Sequence, residues 1–287
     1  MRALIVGTGF GKAVYYNIYQ KLGWNITTVD IADPDADFDD IDKVGYGADV
    51  AHICTPNFTH YELANKAAKR SSVVFVEKPG VANSEQWQQL INDNPNTRIM
   101  MVKNNQYRSN IQEMITAAHN ADVVKCFWIN NDRIPKPGSW FTTQELAFGG
   151  VSRDLLPHML SLYQMFNPHW RTTERTVVEC EQHYELDQIK DSDYGDVDPN
   201  GTYDVDDFCF LRYNEGNKIF ACSAEWRSMV GDDIAVYCDD QKFPLGLCPE
   251  EAYERMIKTA RANLLNDTFW KQQEEMDLWI HRQLETL

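Results

Sequence analysis

Met1-Arg2-Ala3-Leu4-Ile5-Val6-Gly7-Thr8-Gly9-Phe10-Gly11-Lys12 opens the chain. Ala3 to Val6 is a short apolar strand that runs directly into a glycine turn, and the following spacing predicts a helix over 12–22. A strand that ends in glycines and opens a helix is the context in which such a turn holds a dinucleotide. The glycines let the backbone approach a pyrophosphate, whose charge is favoured by the free amides and dipole of the helix N-terminus. The pattern is irregular, because Lys12 stands where the third glycine of G-x-G-x-x-G belongs and Gly11 comes one position early. Either the turn is tighter than usual, or the lysine itself meets the phosphates. Gly7, Thr8, Gly9, Phe10, Gly11 and Lys12 are therefore cofactor-binding candidates. The competing reading is an ordinary glycine turn in an α/β protein.

Outward from this turn, strand and helix patterns alternate. Strands are expected at 26–29, 50–54, 73–76 and 99–102, and helices at 61–70 and 84–92, the last with Ser84 as N-cap. Apolar strands separated by helices imply a parallel, doubly wound sheet with helices on both faces, an α/β Rossmann domain. The second strand ends at Asp30, followed by Ile31. An acidic group there accepts hydrogen bonds from both ribose hydroxyls and repels a 2′-phosphate. No arginine follows, and Asp33 and Asp35 add negative charge, so NAD(H) is favoured over NADP(H). A solvated strand-end aspartate is the alternative.

Beyond about residue 108 the grammar changes. A helix is expected at 111–118 and a strand at 123–130. A Pro/Gly-rich loop (134–140) then leads to a helix from about 152 to 166. Four β-rich runs follow at 174–186, 203–213, 218–228 and 233–240, with a hairpin turn over 213–218. Helical patterns return from Pro249 to the end. The expected organisation is a Rossmann domain over 1–108 and an α+β domain over 109–287 with a large, mostly antiparallel sheet. The C-terminal helix is free to pack back on the Rossmann domain.

Composition agrees with two domains. A chain of 287 residues is long for one core, since single cores stop growing near about 250–300 residues. A formal net charge of −16 disfavours nucleic acid and anionic membrane surfaces as partners. Seven scattered cysteines, an odd number without a C-x-x-C pair, suit reduced thiols better than a disulfide framework. The chain enters a strand at once and holds no apolar run of the roughly 20 residues that span a membrane, so a cytoplasmic location is expected.

Three further stretches carry chemistry. Residues 49–60 read Asp49-Val50-Ala51-His52-Ile53-Cys54-Thr55-Pro56-Asn57-Phe58-Thr59-His60, and after a helix 73–79 read Val73-Val74-Phe75-Val76-Glu77-Lys78-Pro79. Farther on stands Gly149-Gly150-Val151-Ser152-Arg153-Asp154-Leu155-Leu156-Pro157-His158. In this order the three resemble the T/C-P-N-x-x-H, E-K-P and G-G-x-x-x-D-x-x-x-H segments of the Gfo/Idh/MocA family, the glucose–fructose oxidoreductase and inositol dehydrogenase relatives. The resemblance covers about the first 160 residues. It implies that Cys54, Thr55, Pro56, Asn57, His60, Glu77 and Lys78 line the cofactor site, with Lys78 between nicotinamide and substrate. Lys78, Asp154 and His158 are the implied catalytic set. Substrate contacts are expected from these three with Asn105, Tyr107 and Trp140. Trp140 reads equally well as a core aromatic. The family often has an arginine after the last Rossmann strand; here the order is Asn104-Asn105-Gln106-Tyr107-Arg108.

The residue chemistry fits these roles. Lys78 follows a strand at the edge that faces the ligand crevice in open α/β sheets, where an ammonium can stabilise a developing alkoxide. Asp154 and His158, four apart on an expected helix, share a face, and histidine has the pKa to take a proton near neutrality. The glycine pair before them lets the backbone come close to a ligand. The bland alternatives are a surface lysine, a dipole-complementing aspartate and a core histidine.

The expected function is hydride transfer between nicotinamide and a secondary alcohol or ketone of a sugar, polyol or nucleotide sugar. An imine or enone reductase and a non-catalytic NAD-sensing protein are the alternatives. The resemblance also implies a homo-oligomer, dimer or tetramer, through the second-domain sheet. Residues 196–207 fit the D-x-[DN]-x-[DN]-G calcium loop, but Asp207 replaces the bidentate glutamate and no helix flanks it. A solvated acidic hairpin is the preferred reading, and no metal is expected.

Overall fold

The computed structural model describes residues 1–287. The chain forms two compact units, Met1–Val102 with Glu250–Glu285, and Lys103–Pro249 with Thr286–Leu287. The first boundary thus falls at 102/103 and not at 108, and the helices from Glu250 onward belong to the first unit.

In the first unit, β1 (Arg2–Val6), β2 (Asn25–Val29), β3 (Ala48–Ile53), β4 (Ser71–Val76) and β5 (Arg98–Met101) form one sheet. All its pairs are parallel, in the order β2-β1-β3-β4-β5. Helices cover both faces of such a sheet, which is why β1, β4 and β5 are mostly apolar, whereas the edge strand β2 carries Thr27 and Thr28. The strand order reverses between β1 and β3, so the C-terminal ends of those two strands mark the ligand crevice.

The first helix starts at Thr8, four residues before the predicted start. It comprises Thr8–Gly11, a π-helical turn Lys12–Tyr16 and Asn17–Lys21. A Cβ on Gly11 would lie 2.5 Å from the Ile5 Cγ2, so Gly11 performs the close helix–strand packing of the missing third glycine. Its early position shortens the loop by one residue. The wide turn that follows takes one residue more than an α turn and restores the phase.

The helix Ser84–Asp93 is capped by Asn83, not Ser84: the Asn83 carboxamide accepts from the Gln86 amide at 2.8 Å. The C-terminal helix Asp267–Leu284 buries Trp270, Met276, Asp277, Ile280, His281 and Leu284 within the first unit. Buried Asp277 accepts the Met101 amide, at the end of β5, at 3.0 Å.

The second unit holds β6 (Val123–Ile129), β7 (Arg175–Glu181), β8 (Phe208–Glu215), β9 (Lys218–Glu225), β10 (Asp233–Cys238) and β11 (Gln241–Pro244). They form a mixed sheet in the order β11-β10-β6-β9-β8-β7, antiparallel except for the β6–β9 pair. β6 shows the period of two: Val124, Cys126 and Trp128 are buried while the residues between them are more exposed. The predicted hairpin is present, with Gly216 and Asn217 between the paired Glu215 and Lys218. The run predicted to 186 ends its pairing at Glu181, where the chain turns toward Asp207.

Two expectations are corrected here. The predicted helix over 152–166 is two pieces, Val151–Asp154 and Leu156–Phe166, parted at Leu155. Pro157 has no N–H to continue the ladder, and the His158 amide bonds back only three residues, to Leu155. Nor are all cysteines reduced: Cys180 and Cys209 form a disulfide across β7 and β8, Cα atoms 4.2 Å apart. They are 29 residues apart in sequence, and only the antiparallel register brings them opposite. No helix is long and apolar enough to cross a membrane.

Candidate active site

Backbone ladders bring the predicted cofactor residues to one edge of the parallel sheet. Beyond the strand ends, the Gly7 amide bonds Val29, the Cys54 amide bonds Val6, and the Glu77 amide bonds Ile53. The glycine turn, the Cys54-Thr55-Pro56-Asn57 turn and the Glu77-Lys78-Pro79 turn therefore lie side by side at the C-terminal edge. Contact between the first two is tight, since a Cβ on Gly7 would sit 2.6 Å from the Cys54 carbonyl carbon. Gly9 is the opposite case: a Cβ there would meet no protein atom within 4 Å, leaving open space at the helix N-terminus. That opening, beside free amides, fits the pyrophosphate of a dinucleotide.

The acidic end of β2 is tied back to the glycine turn. Asp30 accepts from the Thr8 amide at 2.8 Å, the Thr8 hydroxyl at 3.0 Å and the Ala32 amide at 2.8 Å. Partial burial pushes its carboxyl up, but these donors outweigh it and hold the pKa below the usual range. Asp30 is thus an ordered carboxylate, not a loose strand end. Lys12 reaches Asp33 at 2.5 Å, and this contact lowers the Asp33 pKa to about 2. Ile31 is 91% exposed, and a surface cleft opens among Asp30, Ile31, Asp33, Pro34 and Phe38. Phe10 is exposed at the helix start, its ring edge toward Tyr15.

The lysine turn rests on a buried polar layer. Glu77 is buried and accepts from the Tyr15 hydroxyl at 2.5 Å. Burial pushes its carboxyl pKa up, against the pull of Tyr15 and Lys78. Tyr15 stacks on His52 at 3.8 Å, and His52 also stacks on Phe75 and meets the Tyr19 hydroxyl at 2.6 Å. Lys78 is partly exposed. His60 is fully enclosed, its Nδ1 2.7 Å from the Gly80 carbonyl and its Nε2 2.8 Å from the Thr55 carbonyl. Burial lowers its pKa against the pull of both carbonyls. The ring bridges the Thr55 turn and the segment after Lys78. Tyr15 and His52 escape a sequence reading because their partners lie 62 and 33 residues away.

In the second unit the glycine pair has a different task from the expected one. A Cβ on Gly150 would lie 1.8 Å from the Asp206 carbonyl oxygen, so the close approach is to protein and not to a ligand. The Asp206 carboxylate accepts from the Gly150 amide at 2.9 Å, the Ser152 amide at 2.7 Å and the Ser152 hydroxyl at 2.8 Å. Asp154 follows this anchored turn and accepts from the Trp226 indole at 3.0 Å. His158 opens the next helix and stacks on Trp128 at 5.2 Å. Both side chains are partly exposed. The break at Leu155 means that simple helical phase does not relate them.

The remaining candidates divide. Asn105 is fully buried; its carbonyl accepts from Arg108 Nε at 2.7 Å, and its Nδ2 has no hydrogen-bond partner. Arg108 reaches the Leu245 and Gly246 carbonyls, which makes it a structural tie for that loop. Trp140 stacks on Phe141 at 3.9 Å and is partly exposed, as is Tyr107.

The acidic loop is solvated in its first half, where Asp196, Asp198 and Asn200 are exposed. The carboxylates of its second half are spent on the protein: Asp204 on the Gln144 amide, Asp206 as above, and Asp207 on the His183 and Tyr184 amides. Asp207 is 1% exposed. Gly201 abuts the Gly138 carbonyl, so it serves packing instead of a metal turn. No group of three or more His, Cys, Asp or Glu is placed to hold a metal.

Residues 1–101 match the family model GFO_IDH_MocA, described as an oxidoreductase family with an NAD-binding Rossmann fold. A protein assigned as UDP-kanosamine synthase oxidoreductase subunit, from Amycolatopsis mediterranei (strain S699), is 28% identical over 116 residues. That match covers 39% of this chain and spans 32% of the relative's length. Among solved structures, levoglucosan dehydrogenase in complex with NADH and levoglucosan is similar, with a TM-score of 0.70 at 15% identity, covering 100% of this chain and 97% of that one. A myo-inositol dehydrogenase from Corynebacterium glutamicum ATCC 13032 gives 0.68 at 13% identity, over 98% and 94%. At such identities the structural likeness shows the fold. With the strand order and the three turns at one sheet edge, the match shows that the first 101 residues form an NAD-binding Rossmann fold similar to that of the Gfo/Idh/MocA oxidoreductases.

Proposed function

We propose that this protein is an NAD(H)-dependent dehydrogenase acting on a secondary alcohol, or in reverse a ketone, of a sugar, polyol or nucleotide sugar. The observation that carries the reading is the meeting of the glycine, Thr55-Pro56-Asn57 and Glu77-Lys78-Pro79 turns at the C-terminal sheet edge, with Gly9 open beside them. The dinucleotide would be held by Gly7, Thr8, Gly9, Phe10 and Gly11 at the pyrophosphate, by Asp30 and Ile31 toward the adenosine, and by Cys54, Thr55, Pro56, Asn57 and Glu77 beyond. When bound, its nicotinamide ring supplies the hydride acceptor or donor.

The chain's own groups handle the proton and the charge. Lys78 stabilises the alkoxide as the substrate hydroxyl loses its proton. His158 takes that proton, and Asp154, fixed by the Trp226 indole, orients His158 or holds a neighbouring hydroxyl.

NAD(H) over NADP(H) is supported by Asp30, held ionised by its donors, and by the pairing of nearby Lys12 with Asp33. A 2′-phosphate would meet carboxylates and no unengaged cation in this cleft. A homo-oligomer, dimer or tetramer, is supported by partly exposed Phe127, Phe208, Phe210 and Tyr237 on one face of the mixed sheet. Light scattering at micromolar concentration would return a multiple of 33.2 kDa, and a strict monomer would overturn this. The function itself is tested by NADH fluorescence binding followed by a screen of sugars, polyols and nucleotide sugars for NAD+ reduction. Reduction of NAD+ by a sugar-like alcohol is expected; turnover confined to imines or enones would replace this reading.

A further inference from the structure

Gly80 and Val81 share one peptide group, two residues past Lys78, and both of its poles are held by buried histidines. The carbonyl lies 2.7 Å from His60 Nδ1, and the N–H donates to His281 Nε2 at 3.2 Å. His60 is 1% exposed and His281 0%. The two rings come from distant places, one from the helix after the Thr55 turn, the other from the C-terminal helix 200 residues beyond Val81.

The tautomer of His281 follows from its neighbours. Its Nε2 receives the Val81 N–H and must offer a lone pair, so the proton sits on Nδ1, where the Asp277 carbonyl accepts it at 2.8 Å. Trp87 stacks on the ring at 4.9 Å and fixes its plane. Gly80 has φ +85°, and a Cβ there would stand 2.5 Å from His281 Nε2, so the ring presses directly on the backbone. The same helix face continues the grip. Asp277 accepts the Met101 amide, and Glu285, just past the helix, accepts from the Ser84 amide and hydroxyl. Positions 277, 281 and 285 are four apart, so three acceptors in a row take the backbone donors of Met101 at the end of β5, Val81 in the loop after β4 and Ser84 at the start of the next helix.

We propose that His281 is a positioning residue for the reaction. With His60 at the opposite pole, it clamps the Gly80–Val81 peptide and so fixes the Lys78 ammonium relative to the cofactor edge. This rests on the reading of Lys78 as an active-site residue. It assigns the C-terminal helix a task beyond covering the sheet.

The test has two arms that fail separately. In the cofactor-free protein, nitrogen NMR of the histidines would show His281 protonated on Nδ1 and accepting at Nε2. The Val81 amide would exchange at least about tenfold faster in His281→Leu, while His281→Gln, whose carboxamide oxygen can accept, stays near wild type. In turnover, His281→Leu would lose about tenfold or more in kcat with KM changed less than about twofold, and His281→Gln would regain most of it. An Nε2-protonated His281, wild-type exchange at Val81 in the folded Leu variant, or unchanged kcat there would overturn the clamp. If the Leu variant does not fold, the tautomer in the wild-type chain still decides. Full turnover by Lys78→Ala would instead overturn the reading beneath it and leave the exchange result standing.

Discussion

The Rossmann unit and the mixed-sheet unit build their candidate residues in different ways. In the first, each turn is the direct continuation of a parallel strand, so Gly7, Cys54 and Glu77 are placed by the ladder that ends just before them. In the second, the turn bearing Asp154 is held by Asp206 from 54 to 56 residues away, and Asp154 itself by Trp226 from 72 residues away. Strand-end placement is local and tolerant, because the sheet register does the positioning. Placement by a remote carboxylate is a single point of failure.

Glycine substitutions expose this contrast most strongly. Gly150→Ala forces a Cβ to 1.8 Å from the Asp206 carbonyl, so the turn must leave its anchor. A loss of about 3 kcal/mol or more in unfolding free energy is expected from broken charge-assisted bonds and strain, read from urea midpoints. Gly9→Ala should leave stability nearly unchanged, since its Cβ meets no protein atom. It should still weaken NADH binding about tenfold by filling the phosphate approach. Equal destabilisation by both would break the comparison.

Acid should separate the units next. His52 is sealed among Tyr15, Tyr19 and Phe75, and burial lowers its pKa from 6.5 to about 3. The unfolded chain therefore takes up a proton that the fold refuses. The contribution is complete above pH 6.5 and is lost progressively as pH falls toward 3. Between pH 7 and pH 5 the loss is about 2 kcal/mol, and a His52→Gln protein should lack this part of the pH dependence. Asp207 leans the other way. Burial raises its folded pKa, so its contribution is present below 3.8 and lost as pH rises through the raised value. An acid response identical in wild type and His52→Gln would contradict the assignment. The smallest effect is a count: unfolded without reductant, the chain should present five thiols, not seven, because Cys180 and Cys209 are paired.

The same contrast governs what can be read from sequence. The Rossmann unit was legible because its signals are contiguous: an apolar strand, then glycines; a strand, then Thr55-Pro56-Asn57; a strand, then Glu77-Lys78-Pro79. Even Gly11 carried its meaning in its spacing, although the π turn that restores the phase has no sequence mark of its own. The second unit was legible as a strand grammar and little more. Gly149-Gly150 looked like a ligand approach because Asp206, its true partner, lay hidden in a run resembling a calcium loop. The Cys180–Cys209 bridge needed the register of β7 on β8, which periodicity does not supply. Pro157 did carry a signal for the helix break, since a proline without an N–H interrupts a ladder wherever it falls past the first turn. His281 was beyond reach, because its meaning lies in one peptide group 200 residues earlier.

The most direct measurement of the central claim is Lys78→Ala compared with wild type on a sugar-like alcohol, with NADH binding followed by fluorescence in parallel. The loss of one charge-stabilising group predicts a fall of about 10²–10³ in kcat. NADH affinity should stay within about threefold, since the glycine turn and Asp30 are untouched. A variant that keeps full turnover while binding NADH normally would contradict the account.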